Sequence, residues 1–198
     1  MITPDQEPDR LADLAGAAFR GGADVLQLRH KLLARGDLLA LARRLRALSQ
    51  TAGALFIVND HLDLALLSEA DGVHLGPDDL SLAAARDVAG DRLLVGASVS
   101  TPAAALAAIS AGADYIGCGP AFATPLKPKK EVIGPEGVAR VAKAVGSEVP
   151  VFAIGGIDES NIRLLTGAGI HRICVVRAVG EAPDPESATR RLRTMLDG

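Results

Sequence analysis

The sequence predicts an α/β fold, specifically a single (β/α)8 TIM barrel over residues 1–198. First, about eight short segments rich in β-branched residues alternate with helical stretches rich in Ala, Leu and Arg. Parallel strands need crossover connections of this kind. Second, most of the strand segments end in Gly, Asn, Asp, Ser, Arg or Lys, at the end where such a barrel places its chemistry. Third, eight units sharing 198 residues leave roughly 25 each, short for this fold, with little room for added domains or lids.

In chain order, a stub at 1–3 precedes Pro4 and a helix over 8–20. Strands are expected over 25–29, 55–59, 72–76, 93–98, 115–119, 149–156 and 172–177. Helices are expected over 37–50, 62–68, 81–88, 102–111, 135–145, 159–166 and 185–196. Ser81, Thr101 and Asp184 stand at N-cap positions, and Pro102 and Pro185 at the first helical position. A phrase recurs where helices give way to strands: Gly22-Ala23-Asp24, Ala70-Asp71-Gly72 and Gly112-Ala113-Asp114. Internal duplication and repeated loop chemistry explain it equally well; Gly suits a left-handed helix C-terminus. Residues 120–134 form the one long loop, a length that usually carries function or disorder.

Composition narrows the function. With 48% hydrophobic but 3% aromatic residues, the expected core is Ala, Val, Leu and Ile rather than stacked rings. A net charge of −3 and the absence of Trp argue against a nucleic-acid surface. Cys118 and Cys174 fall within strands among apolar residues and Gly, as buried thiols rather than a disulfide or metal pair. The opening MITPDQEPDR has no apolar signal core. The longest uncharged stretch, 93–113, is broken by Gly96, Ser98, Ser100, Thr101 and Pro102, so it reads as strand, turn and helix, not a bilayer span. The expectation is a soluble cytoplasmic protein with no nucleic-acid or membrane partner. A homo-oligomer is compatible with the sequence.

The polar strand ends suggest the chemistry. In Gln27-Leu28-Arg29-His30-Lys31, alternation puts Gln27, Arg29 and Lys31 on one face and Leu26 and Leu28 on the other. Two cations and an amide inside a barrel mouth suit a phosphate or diphosphate; a charged strand end in solvent is the plainer alternative. Asn59-Asp60 ends one strand, and Asp79 follows His74-Leu75-Gly76 on the next. Two carboxylates at one rim, facing a basic cluster, suit a Mg²⁺ that bridges to a diphosphate. The competing role is helix capping, by Asp60 for the helix at Leu62 and by Asp78 or Asp79 for the helix at Ser81. His74 is expected to fill the barrel interior, and His30, His61 and His171 lack zinc-ligand spacing. Ser98 would place a hydroxyl at the mouth, or merely end its strand. Lys127 would add charge over the mouth, whereas Lys129 and Lys130 read as solvated. Gly155-Gly156 and Val176-Arg177 follow the last two strands, where barrels often hold a phosphate.

Taken in order, these blocks resemble the thiamine phosphate synthase family along nearly the whole chain. Gln27–Lys31 resembles its Q-L-R-x-K and Asn59-Asp60 its N-D; ADGVHLG at 70–76 with Asp79 resembles its A-D-G-[IV]-H-[IL]-G-x-x-D. GADYIGCGP at 112–120, Thr124 with Lys127, and AIGGI at 153–157 match further blocks. The resemblance implies a transferase of thiamine biosynthesis. An aminopyrimidine methyl diphosphate loses pyrophosphate to give a pyrimidine methylene cation, and the nitrogen of a thiazole phosphate takes its place. It further implies that Gln27, Leu28, Arg29, His30, Lys31, Asn59, Ser98 and Lys127 bind the pyrimidine diphosphate, with Arg29, Lys31, Ser98 and Lys127 catalytic. Asp60 and Asp79 would hold Mg²⁺, and Thr124, Pro125, Leu126, Gly156, Val176 and Arg177 would line the thiazole phosphate site. The chain departs from the family pattern at Leu126, where T-x-T-K has a second Thr, and at Arg177, where Ser is usual; Pro77 and Ser100 replace frequent Gln and His. A thiazole tautomerase-like isomerase, another phosphate-handling barrel enzyme such as a sugar-phosphate epimerase, and a non-catalytic phosphate-ligand-binding homologue are the alternatives. Retained Asp60 and Asp79, and Pro120 where a tautomerase would place a catalytic His, argue against the first.

Overall fold

The computed structural model describes residues 1–126 and 128–197. Seven parallel strands pair in chain order: β1 Val25–Leu28, β2 Leu55–Asn59, β3 Gly72–Leu75, β4 Leu94–Val99, β5 Tyr115–Cys118, β6 Val151–Ile154 and β7 Ile173–Cys174. The helices are α1 Pro8–Arg20, α2 Arg35–Ala52, α3 Leu62–Leu67, α4 Leu82–Ala89, α5 Pro102–Ser110, α6 Gly134–Val145, α7 Ile162–Gly167, α8 Arg177–Gly180 and α9 Pro185–Asp197. The expected TIM-barrel architecture is therefore present, with seven strands rather than eight in the sheet.

The stub at 1–3 supplies the missing member. Gln27 N–H donates to Met1 O (2.8 Å) and Thr3 N–H to Gln27 O (3.0 Å), while Ile2 N–H donates to Val175 O (2.9 Å). Residues 1–3 thus bond to β1 on one side and to the segment beyond β7 on the other, and Ile2 is buried. Among the described residues, 1–3 thus bridge the two edges of the sheet, whose backbone groups would otherwise lie unpaired.

Two expected elements are corrected. The strand over 172–177 shrinks to β7, and Arg177 opens α8 instead. Gly180 N–H donates to Val176 O and Glu181 N–H to Arg177 O, so this run turns helical despite its β-branched residues. The helix over 159–166 starts only at Ile162, because Asp158 and Asn161 build a turn first. Asp158 N–H donates to Asn161 Oδ1, and Ser160 N–H and Oγ donate to Asp158 Oδ1.

The recurring Asp has a structural job. Asp71 Oδ2 accepts from Phe56 N–H of β2 and from Arg46 of α2; Asp114 Oδ2 accepts from Val95 N–H of β4 and from Arg86 of α4. Each carboxylate ties the start of its own strand to the previous strand and to the helix that leads into that previous strand. The same loop contacts thus recur at two of the three phrases.

Alternation sorts the core into two layers. Phe56, Val58, Val73, Leu75, Val95, Ile116 and Cys118 are buried beneath the helices, an aliphatic layer with one ring. The buried core is aliphatic as expected, and the inward row adds two unstacked ring contacts. Asn59, His74, Gly96 and Tyr115 form one tier across four strands. Tyr115 packs on His74 (ring centroids 5.5 Å apart) and edge-on to Phe152 (6.0 Å). A Cβ at Gly96 would lie 2.0 Å from Tyr115 Cζ, so glycine makes room for the ring. G96A is expected to lose roughly 1–3 kcal/mol of stability, measurable as a lower urea midpoint at unchanged m-value. Burial raises the pKa of both thiols, Cys118 to about 12, and neither is disulfide-bonded. Among the described residues no helix is long and apolar enough to cross a membrane.

Candidate active site

The polar strand ends gather at one rim. At the end of β1, Thr3 Oγ1 accepts from Arg29 N–H (2.9 Å) and donates to Arg29 O (2.8 Å), which fixes the backbone where the strand ends. Asp5 accepts from Lys31 N–H (2.8 Å), and its other oxygen lies 3.6 Å from Arg29 Nη1. Thr3 and Asp5 therefore fix the backbone that carries the two cations, and Asp5 also meets the Arg29 guanidinium. Only a contact spanning 26 residues reveals this, and no local sequence pattern signals it. His30 commits both ring nitrogens to backbone: Nδ1 accepts from Leu32 and Leu33 N–H, and Nε2 meets Gln6 O at 3.0 Å. Its side chain shapes the loop. Gln27 is buried on the inward face.

At the end of β2, Asp60 has a positive φ of 65°, a left-handed conformation uncommon outside Gly, Asn and Asp. Its N–H donates to His74 O (2.9 Å). This geometry turns its side chain toward Asp79, whose Oδ2 accepts from Gly76 N–H (2.7 Å). The Asp60 carboxyl is pushed up to about 6, first by burial, then by a hydrogen bond with Asp79 and by that residue's charge, against the pull of Arg29 and Lys31. Two carboxylates and two cations thus share one electrostatic neighbourhood. The capping alternative falls away: α3 has no side-chain cap, and α4 is capped by Ser81 Oγ, which accepts from Ala84 N–H.

A cleft of about 390 Å³ is lined by Leu28, Arg29, His30, Lys31, Asn59 and Asp60, among others. A second cleft of similar size lies between Asp60 and the apolar side chains Leu62, Leu66, Leu80 and Val88. The first has the convergent polar groups a charged ligand needs. Ser98 points inward at the next strands, with Oγ 2.9 Å from His74 Nε2.

The other side of the mouth is built from loop contacts. Gly155 and Gly156 have φ of 102° and 62°. A Cβ on Gly156 would lie 2.4 Å from Ala123 O, and one on Gly155 2.6 Å from Pro120 Cβ. The double glycine therefore lets the loop after β5 lie directly on the loop after β6. Asn161, which sequence reading passed over, donates from Nδ2 to Gly156 O (2.8 Å) and holds that turn. Thr124 is half-buried, while Pro125, Leu126 and Arg177 are exposed. Arg177 Nη1 lies 3.9 Å from Glu181. Lys127 lies outside the described residues.

A family model described as thiamine monophosphate synthase matches residues 1–179. The chain belongs to the thiamine monophosphate synthase family. Within that family it is 44% identical over 188 residues to the thiamine-phosphate synthase of Salinibacter ruber, covering 94% of this chain and 82% of that one. It is 46% identical over 188 residues to the enzyme of the same name from Thermosynechococcus vestitus, covering 95% of this chain but 53% of the relative. This chain thus spans about half the length of that relative. The thiamine phosphate pyrophosphorylase structure from Pyrococcus furiosus superposes with a TM-score of 0.90 at 36% identity, over 99% of this chain and 93% of that one. A 3-hexulose-6-phosphate synthase, at TM-score 0.73 and 18% identity, shares the fold alone.

Proposed function

We propose that this chain is a thiamine phosphate synthase, joining an aminopyrimidine methyl diphosphate to a thiazole phosphate with release of pyrophosphate. The observation that carries the reading is the Asp60–Asp79 pair set beside Arg29 and Lys31, a constellation suited to a diphosphate and a divalent cation together. Two hard oxygen donors held close, with the Asp60 carboxyl pushed up by burial and then by Asp79, fit Mg²⁺ better than they fit solvent. Asp60 and Asp79 would hold it. When bound, the metal offsets charge on the diphosphate and so eases its departure.

The chain's own groups do the rest. The C–O bond between the pyrimidine methylene and the diphosphate breaks, and its electron pair leaves with the diphosphate. Arg29 and Lys31 stabilise that growing charge, Arg29 being aimed by Asp5. Gln27 and Asn59, at the inward ends of β1 and β2, orient the pyrimidine diphosphate, and Ser98 donates to it. Leu28 and His30 shape the cleft wall. The thiazole nitrogen lone pair then forms the new bond to the methylene carbon. Positioning the two substrates supplies much of the rate, and no enzyme nucleophile or base is needed. Thr124, Pro125, Leu126, Gly156, Val176 and Arg177 line the thiazole phosphate side, where Arg177, loosely paired with Glu181, offers a bidentate contact in place of missing hydroxyls. The unpaired thiols suit a reducing compartment, and the cytoplasm is the proposed location.

The deciding experiment is a turnover assay with the pyrimidine diphosphate, the thiazole phosphate and Mg²⁺. Thiamine phosphate and pyrophosphate are expected in equal amounts, and EDTA is expected to stop both. Folded protein that yields neither product would overturn the reading in favour of an isomerase or a binding protein.

A further inference from the structure

Ser98 sits at one end of a hydrogen-bonded line through the barrel interior. Its Oγ is 2.9 Å from His74 Nε2, and His74 Nδ1 is 3.2 Å from the Tyr115 hydroxyl. The line is held rigidly. Gly96 gives Tyr115 its space, a Cβ on Gly117 would come within 3.1 Å of His74 Cε1, and Phe152 packs edge-on against Tyr115.

A neutral imidazole has one donor nitrogen and one acceptor. Burial raises the Tyr115 pKa, so the phenol keeps its proton. Its hydroxyl proton needs an acceptor in a partly buried site, and His74 Nδ1 is placed to be that acceptor. Nδ1 then carries no proton, which leaves the ring proton on Nε2. Nε2–H donates to Ser98 Oγ, so the Ser98 proton must point away from His74, out into the barrel mouth.

We propose that Tyr115 and His74 are positioning residues that fix the Ser98 hydroxyl as an obligate hydrogen-bond donor toward an anionic oxygen of the substrate's leaving diphosphate. This rests on the placement of Ser98 at the diphosphate given above. It also explains why Ser98 is no nucleophile: its neighbour on His74 is a donor and cannot take its proton.

The test joins spectroscopy with kinetics. In histidine-labelled protein, with its four histidines and the His74 signal identified by its loss in H74Q, imidazole ¹⁵N shifts report the tautomer directly. His74 is expected to show the Nε2–H pattern, matching His30, whose Nδ1 accepts two backbone N–H groups. Tyr115→Phe keeps the ring and removes the hydroxyl. It is expected to mix the His74 tautomers and lower kcat roughly 3- to 10-fold with KM little changed. In a Ser98→Ala background the same change should have no further effect, because the two act as one unit. An Nδ1–H tautomer in the wild-type protein, or an equal loss from Y115F in both backgrounds, would overturn the inference alone. Full activity of S98A would instead overturn the placement of Ser98 at the diphosphate, and the inference with it.

Discussion

Replacing Asp60 with Asn is expected to lower Mg²⁺-dependent turnover by about 10²–10³-fold while making the metal-free protein more stable. Asn keeps the side-chain shape and tolerates the left-handed backbone at φ 65°, so the fold is preserved and only the charge is lost. The stability gain follows from the Asp60 carboxyl standing at about 6 rather than 3.8. Between those values the folded protein keeps a proton that the unfolded chain has already released. Folding free energy therefore falls as pH rises through this window and stays lower above it. An offset of roughly 2 pKa units corresponds to ~3 kcal/mol at most, and solvent screening of the half-exposed carboxyl reduces this to about 1 kcal/mol. Thermal melts should place metal-free D60N a few degrees above wild type, about 2–4 °C at pH 7.5, with the gap closing below pH 4. Mg²⁺ should raise the wild-type midpoint above pH 6 and leave D60N unmoved. An active D60N enzyme, or a variant melting below wild type at neutral pH, would remove Asp60 from the proposed metal site.

Arg29→Ala is expected to have the next largest effect, a fall in kcat of about 10²–10³-fold, because on the proposed mechanism charge developing on the diphosphate loses a guanidinium donor. Arg29→Lys should recover only part of this, since an ammonium cannot make the paired contacts of a guanidinium. A second consequence separates Arg29 from a residue that merely binds. Arg29 pulls the Asp60 carboxyl down, so R29A should push that group further up and move the acid limb of the pH–rate profile to higher pH. Asp5→Asn, which removes an aiming contact 3.6 Å from Arg29, should cost far less, roughly 3- to 10-fold. Kinetic constants measured from pH 5.5 to 8.5 would check all three. An R29A profile with an unshifted acid limb would uncouple Arg29 from the carboxylates.

Much of this architecture was legible from residue pattern. Strand β2 and helix α1 have the bounds that periodicity and flanking residues predict, because each is a run with a clear stop: Asn59-Asp60 for one, Gly21-Gly22 for the other. Ser81 and Thr101 cap their helices as expected, capping being a contact over three residues. The inward placement of Gln27 and His74 follows from strand alternation alone. What sequence pattern leaves out has one cause. Val175-Val176 reads as strand by composition, yet the chain has to turn there to reach α8. Composition predicts the aliphatic core correctly, but it does not show that His74, Tyr115 and Phe152 meet across three strands. Neither fact is visible in a local window.

The candidate site divides the same way. That Asp60 and Asp79 are acidic residues after consecutive strands is a sequence fact; that they meet, rather than cap α3 and α4, depends on the left-handed backbone at Asp60 and on the pairing of β2 with β3. The sequence by itself determined the alternating architecture, the rim that carries the polar residues, and the ordered motifs of the thiamine monophosphate synthase family, because all of these are written in short-range spacing. Only the tertiary structure decided that residues 1–3 close the barrel, that Thr3 and Asp5 fix the backbone of the strand-end cations, and that Tyr115 reaches Ser98 through His74. Those contacts join residues 24 to 173 positions apart, and groups so distant in sequence meet only once the strands have paired.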